Sequence, residues 1–211
     1  MRFQTVAGCA LVAIAASSCG SATDSAGPNS GSPENSTSAS EVSGVRPTLT
    51  NPKLQPPSQD NKYTRSSGRP EVTFDPCTWI TDAEVESMGF RPESRRRGPD
   101  LVAEYTFLTC VFDNSGNTVA LHVDSGNTTW DENLQKNGAW LSATTVNGRQ
   151  AGLVRGEPGG EDACQVHMVT EAGFVIVGTL IQSLGKNKGL DPCANIMEIA
   201  SVVEKSIGKE N

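Results

Sequence analysis

Two histidines, a run of three arginines, several adjacent carboxylates and six cysteines are the residues of this 211-residue chain whose types could do chemistry. His122 and His167 each sit among alternating apolar residues, the pattern of a strand. A histidine works as a base only beside a group it can deprotonate, and as a metal ligand only with further ligands at hand. His122 and Asp124 share one face if their strand stays regular, but no third ligand accompanies them. The nucleophile elbow G-x-S-x-G and the metal-binding H-E-x-x-H are both absent. Asp131-Glu132 and Glu161-Asp162 are neighbours at a helix start and in a loop, which is not the placement of an acid/base pair across a substrate. Both histidines are therefore read as strand residues facing solvent. The expectation is a protein that is not an enzyme, with no catalytic residue, no metal and no cofactor.

Arg95-Arg96-Arg97 is the one basic cluster in a chain with 17 Lys+Arg against 24 Asp+Glu. Its first reading is a solvated loop. The functional reading is a local patch for anionic headgroups, cell-wall phosphates or an acidic partner. A formal charge of −7 is a poor footprint for nucleic acid, so none is expected as a partner. With 36% hydrophobic and 5% aromatic residues a core can form, but part of the chain must lie outside it.

The N-terminus explains two of the cysteines. Arg2 precedes an apolar stretch from Val6 to Ala16, and the small residues Ser17 and Ser18 lead into Cys19, the layout of an export signal. It resembles a bacterial lipoprotein signal, in which the cysteine after the small residues receives a diacylglycerol thioether and becomes the new N-terminus. Val6-Ala7-Gly8-Cys9 is a rival site, but too little chain precedes Cys9 unless translation starts upstream. Residues 1–18 are thus read as signal peptide and Cys19 as the lipid attachment site, holding the chain on the outer face of the cytoplasmic membrane. Two acyl chains make a stable anchor where one does not. Residues 19–69, rich in Ser, Thr, Gly, Pro and Asn, read as a disordered tether with a reach of roughly 40 Å.

Residues 70–211 have the patterning of one domain. Thr81-Asp82-Ala83-Glu84 and Thr129-Trp130-Asp131-Glu132 are capping boxes opening short helices that stop at Gly89 and Gly138. Alternation through Phe107, Cys110 and Phe112 and through Val119, Leu121 and Val123, joined at 114–117, makes a hairpin. Asn147-Gly148 turns a second hairpin, and Gly173 joins strands over 164–170 and 174–181 into a third. Asp191 caps a final helix with Pro192 in its first position and Cys193, Ile196, Met197, Ala200, Val203 and Ile207 on one stripe. The fold class predicted is α+β: a mostly antiparallel sheet of about six strands with helices packed on one face.

Cys77, Cys110, Cys164 and Cys193 remain, an even number in an exported domain, and two disulfides follow. Four cysteines allow three pairings. Cys77 with Cys110 and Cys164 with Cys193 is preferred, because each joins a helix start to a strand near it in sequence. The spacings do not suit a zinc site.

Taken in order, Cys19 and its spacer, Phe74-Asp75-Pro76-Cys77, Gly89, Cys110 before Phe112, Val146-x-Gly148-Arg149, Cys164-Gln165-Val166 and Asp191-Pro192-Cys193 resemble a family of actinobacterial envelope lipoproteins catalogued as domain of unknown function 3558. The resemblance implies an envelope location, a cysteine-stapled α+β domain and no established enzymatic activity. It supplies no catalytic residues. Two functions stay open: a noncatalytic interaction module with a protein or lipid partner in the envelope, or a carrier of an apolar ligand held between sheet and helices. A closed core would favour the first and an apolar pocket of several hundred Å³ the second.

Overall fold

The computed structural model describes residues 48–156, 160–209 and 211. Its centre is one antiparallel sheet of eight strands, more than the six expected. The strands are β1 (Arg96–Arg97), β2 (Leu101–Val102), β3 (Thr106–Asp113), β4 (Val119–Gly126), β5 (Leu141–Val146), β6 (Arg149–Gly156), β7 (Gly160–Val169) and β8 (Phe174–Ile181). They lie in the order β1-β3-β4-β8-β7-β6-β5, with β2 beside β1 on the same flank of β3. The two extra strands are two residues each, too short to leave a periodic signal.

Turn chemistry made the hairpins legible. Asn147 and Gly148 both have positive φ, as the two-residue turn between β5 and β6 requires, and Asn117 has the same conformation at the β3–β4 turn. The helices are α1 (Lys62–Ser67), α2 (Pro76–Trp79), α3 (Asp82–Ser87), α4 (Trp130–Asn137), α5 (Ser183–Lys186) and α6 (Ile196–Ile207). Both predicted capping boxes form: Thr81 Oγ1 accepts from Glu84 N, and Thr129 Oγ1 accepts from Glu132 N, while each glutamate bonds back to the threonine amide. Ile80 and Val85 are fully buried around the first of them, a hydrophobic staple.

One face of the sheet carries Cys110, Phe112, Leu121, Val123, Val166, Met168, Val175 and Val177, all buried. Against them pack Phe74, Cys77, Ile80 and Val85 from the α2–α3 region and Ile196, Ile199, Ala200, Val203 and Ile207 from α6. Both preferred disulfides are present, Cys77–Cys110 tying α2 to β3 and Cys164–Cys193 tying β7 to the turn before α6.

Three expectations are corrected. Helices do not pack on one face alone: the connection from β4 to β5 must travel from mid-sheet to the edge, and it carries α4 across the opposite face. The last helix starts at Ile196, not at Pro192. Asp191 Oδ1 does accept from Cys193 N at 2.9 Å, but Asn195 at φ 59° interrupts the chain before the helix begins. At the first Asp-Pro-Cys the same device leads straight into α2, Asp75 accepting from Cys77 N. Finally, residues 48–69, assigned to the tether, are ordered against the domain. Leu54 joins the core, the Gln59 amide both donates to and accepts from the backbone of Val72, and α1 has its own Asn61 capping box. The physical reason is that a few well-placed side chains anchor a segment that has little apolar surface of its own. The signal peptide, Cys9 and Cys19 lie outside the described residues.

Candidate functional site

Alternation along β4 sends His122 and Asp124 to the face crossed by α4, as their spacing predicted, with Nε2 of His122 3.8 Å from Oδ2 of Asp124. That separation is too long for a hydrogen bond. Register puts His122 opposite Gly178 of β8 and Gly178 opposite Gln165 of β7. A Cβ on Gly178 would lie 2.0 Å from His122 Nε2, so the glycine is what lets the imidazole lie across the sheet. Burial pushes the Asp124 carboxyl up, and the neighbouring His122 opposes the shift.

His167 is not a surface residue, as its alternation suggested, but 1% exposed. The reason is α4. Its ring stacks on Phe174 at 5.4 Å, and its Nδ1 donates to Asn133 Oδ1 at 2.8 Å. The same Asn133 oxygen accepts from Asn137 Nδ2. Burial, with a smaller contribution from His122, lowers the His167 pKa to about 4, so at neutral pH the ring is uncharged. Oε1 of Gln165 lies 3.1 Å from Nε2; with Nδ1 committed to Asn133, Nε2 of the neutral ring is an acceptor, so a bond there requires the Gln165 amide to turn over and present its NH₂.

α4 therefore buries asparagines, packs Trp130 edge-on against Phe174 and shows solvent its Leu134. Asn133 and Asn137 face the sheet, while Leu134 is 40% exposed and Trp140, just beyond the helix, 41%. Sequence reasoning missed this. The available signal was the pair of asparagines at i and i+4 in a helix opposite a strand carrying histidine. The helix is fixed at its start by Arg69, whose guanidinium grips Glu132 through two bonds at 2.8 and 2.5 Å. That contact, with the Thr129 amide, lowers the Glu132 pKa to about 2.

The rest of this face is open. Val111, His122, Gln165 and Ile176 are half-buried and Leu180 is exposed. Among the described residues no group of three His, Cys, Asp or Glu side chains is placed to hold a metal ion, and all four cysteines are in disulfides. The histidine nearest solvent has no hydroxyl or thiol bonded to it among the described residues. The arrangement can bind, through polar groups set in an apolar surround, and the Thr109 hydroxyl is committed to the Asp124 carboxylate.

The arginine run divides: the Arg95 and Arg97 guanidiniums are buried and structural, while Arg96 is half-exposed. Arg95 is 3% exposed at its side chain, donating to the carbonyls of Cys77 and Ile80 and to Asp82 Oδ1. Arg97 is held by Asp75 at 2.5 Å and by Asp100 at 3.0 Å, and Arg96 by Asp113. Each positive charge already has a carboxylate partner, which weakens the case for an anion patch. The pattern looked solvated because three of its carboxylate partners, Asp75, Asp82 and Asp113, are distant in sequence. Arg149 is likewise a clamp: it binds Glu204 and the carbonyls of Val169, Gly208 and Asn211, while Asn147 bonds Ser201 and Glu204, together pinning α6 to the β5–β6 turn.

The clefts, of about 450 to 700 Å³, are surface grooves lined largely by polar and charged side chains, one of them by Lys53, Asp82, Glu93, Arg95, Arg96 and Arg97 among others. Among the described residues no helix is long and apolar enough to cross a membrane.

Fold and site together define a twice-stapled antiparallel α+β domain with one closed sheet face and one partly open. The chain belongs to the family described as Protein of unknown function (DUF3558), whose family model matches residues 5–206. No curated protein and no solved structure matches the chain.

Proposed function

We propose that the protein is a lipid-anchored, extracytoplasmic interaction module of a bacterial, actinobacterial-type cell envelope, attached through Cys19 and acting without catalysis. The anchor rests on the N-terminal sequence. Export is supported by the cysteines of the folded region, which stand as two disulfides, the chemistry of an oxidising compartment. The observation that carries the binding role is the half-covered sheet face, where Val111, Ile176 and Leu180 reach solvent beside His122 and Gln165. Carriage of an apolar ligand between sheet and helices has less support, because that space is filled by side chains such as Phe112, Leu121, Val166 and Val203, each at 0% exposure.

The test is recovery of the native protein from membranes, with intact-mass analysis and identification of co-purifying proteins and lipids. A diacylglyceryl adduct at Cys19, oxidised cysteines and a protein partner lost on Ile176→Asp substitution are the expected results. An unmodified N-terminus with four free thiols would overturn the address, and a bound lipid without a protein partner would overturn the interaction role.

A further inference from the structure

The two edges of the sheet are built differently. One is closed by β1 and β2, two residues each and carrying Arg96 and Arg97, which is how edges are blunted against pairing. The other is β5, six residues long, and from Trp140 through Gly148 it contains no charge and no proline. β-Branched Thr144, Thr145 and Val146 favour extended backbone there. Among the described residues β5 has no strand on its outer side.

Which groups are offered follows from the turn. A two-residue hairpin turn closes on a mutually bonded pair, here Val146 with Arg149, so alternation turns Thr144 and Ser142 toward β6. Leu141, Ala143 and Thr145 then direct their N–H and C=O outward, and none of these groups has a hydrogen-bond partner among the described residues.

We propose that β5 is a self-association edge, on which a second copy of this chain pairs antiparallel about a two-fold axis through Ala143. This register engages all three outward residues: Ala143 faces its own counterpart, and Leu141 faces Thr145 in both directions. Centring on a neighbouring residue leaves one of the three unused. Charge permits this occupant at this edge. Copies of a chain with formal charge −7 repel one another, and this neutral stretch lets two backbones meet with no like charges opposed. The same register brings Trp140, 41% exposed in the single chain, beside Val146 and Asn147 of the second copy, which covers it.

The experiment uses the full-length chain in sedimentation equilibrium up to about 100 μM, with three variants. The expected result is a concentration-dependent doubling of mass. Ala143→Lys, at an exposed position, sets two ammonium groups against each other and leaves a monomer that melts as the wild type does at concentrations where the wild type is itself monomeric. Ala143→Cys cross-links to its own counterpart under mild oxidation, since facing bonded residues have Cα atoms about 5.5 Å apart, within disulfide range. Thr145→Cys, which faces Leu141, does not cross-link beyond wild type. A wild type that stays monomeric, a dimer that survives Ala143→Lys, or a cross-link no stronger from Ala143→Cys than from Thr145→Cys overturns the proposal. Capture of an unrelated extended peptide on β5 of a monomeric chain overturns it as well.

Discussion

His167 and Arg97 show how a residue's neighbours decide its role. His167 is neutral when folded, with a pKa near 4 against 6.5 for a free imidazole. The unfolded chain therefore binds a proton that the folded chain refuses, and stability falls as pH drops from about 6.5 toward 4, by on the order of 3 kcal/mol in all. Denaturant midpoints measured across that window are expected to slope for the wild type and to flatten for His167→Gln. Arg97 neutralises Asp75, whose carboxyl burial pushes upward despite the guanidinium beside it. Arg97→Ala strands a buried carboxylate and is expected to cost roughly 3 kcal/mol in chemical denaturation, while Arg96→Ala, half-exposed, changes stability by less than about 1 kcal/mol. Inorganic phosphate should bind neither variant differently from wild type.

Elements here are held by few, specific contacts. α4 rests on Glu132, which closes the capping box and meets Arg69, and on Asn133 against His167. Glu132→Ala removes both interactions at the helix start, and amide exchange over 130–137 is expected to accelerate more than anywhere on β3, β4 or β8. The disulfides close separations of 33 and 29 residues, worth roughly 3.5 kcal/mol each in the chain-entropy account. Reduction should lower the melting temperature steeply, and Cys77→Ala/Cys110→Ala should reproduce about half of the loss. The capping boxes, the Asn-Gly turn and the long strands were legible because each is a local decision, made by residues within four positions of one another. The start of α6 was not, because Asn195 takes a left-handed conformation two residues after Cys193, whose disulfide partner Cys164 is distant in sequence.

At the scale of the whole molecule the boundary of the folded unit has moved. A chain beginning at Pro70 lacks Leu54, the Gln59 bridge to Val72 and Arg69, and is expected to melt several degrees below one beginning at residue 45. The amino-acid order by itself determined the α+β class, the hairpins and the even number of cysteines in the folded region, since these depend on composition, periodicity and short-range turn chemistry. Only the tertiary structure decided which cysteines meet, that the three arginines are neutralised, that His167 lies beneath α4, and that one sheet face and one edge stay open. Those features depend on residues tens of positions apart being brought together, and no local pattern encodes which distant carboxylate, sulfur or amide a side chain will find.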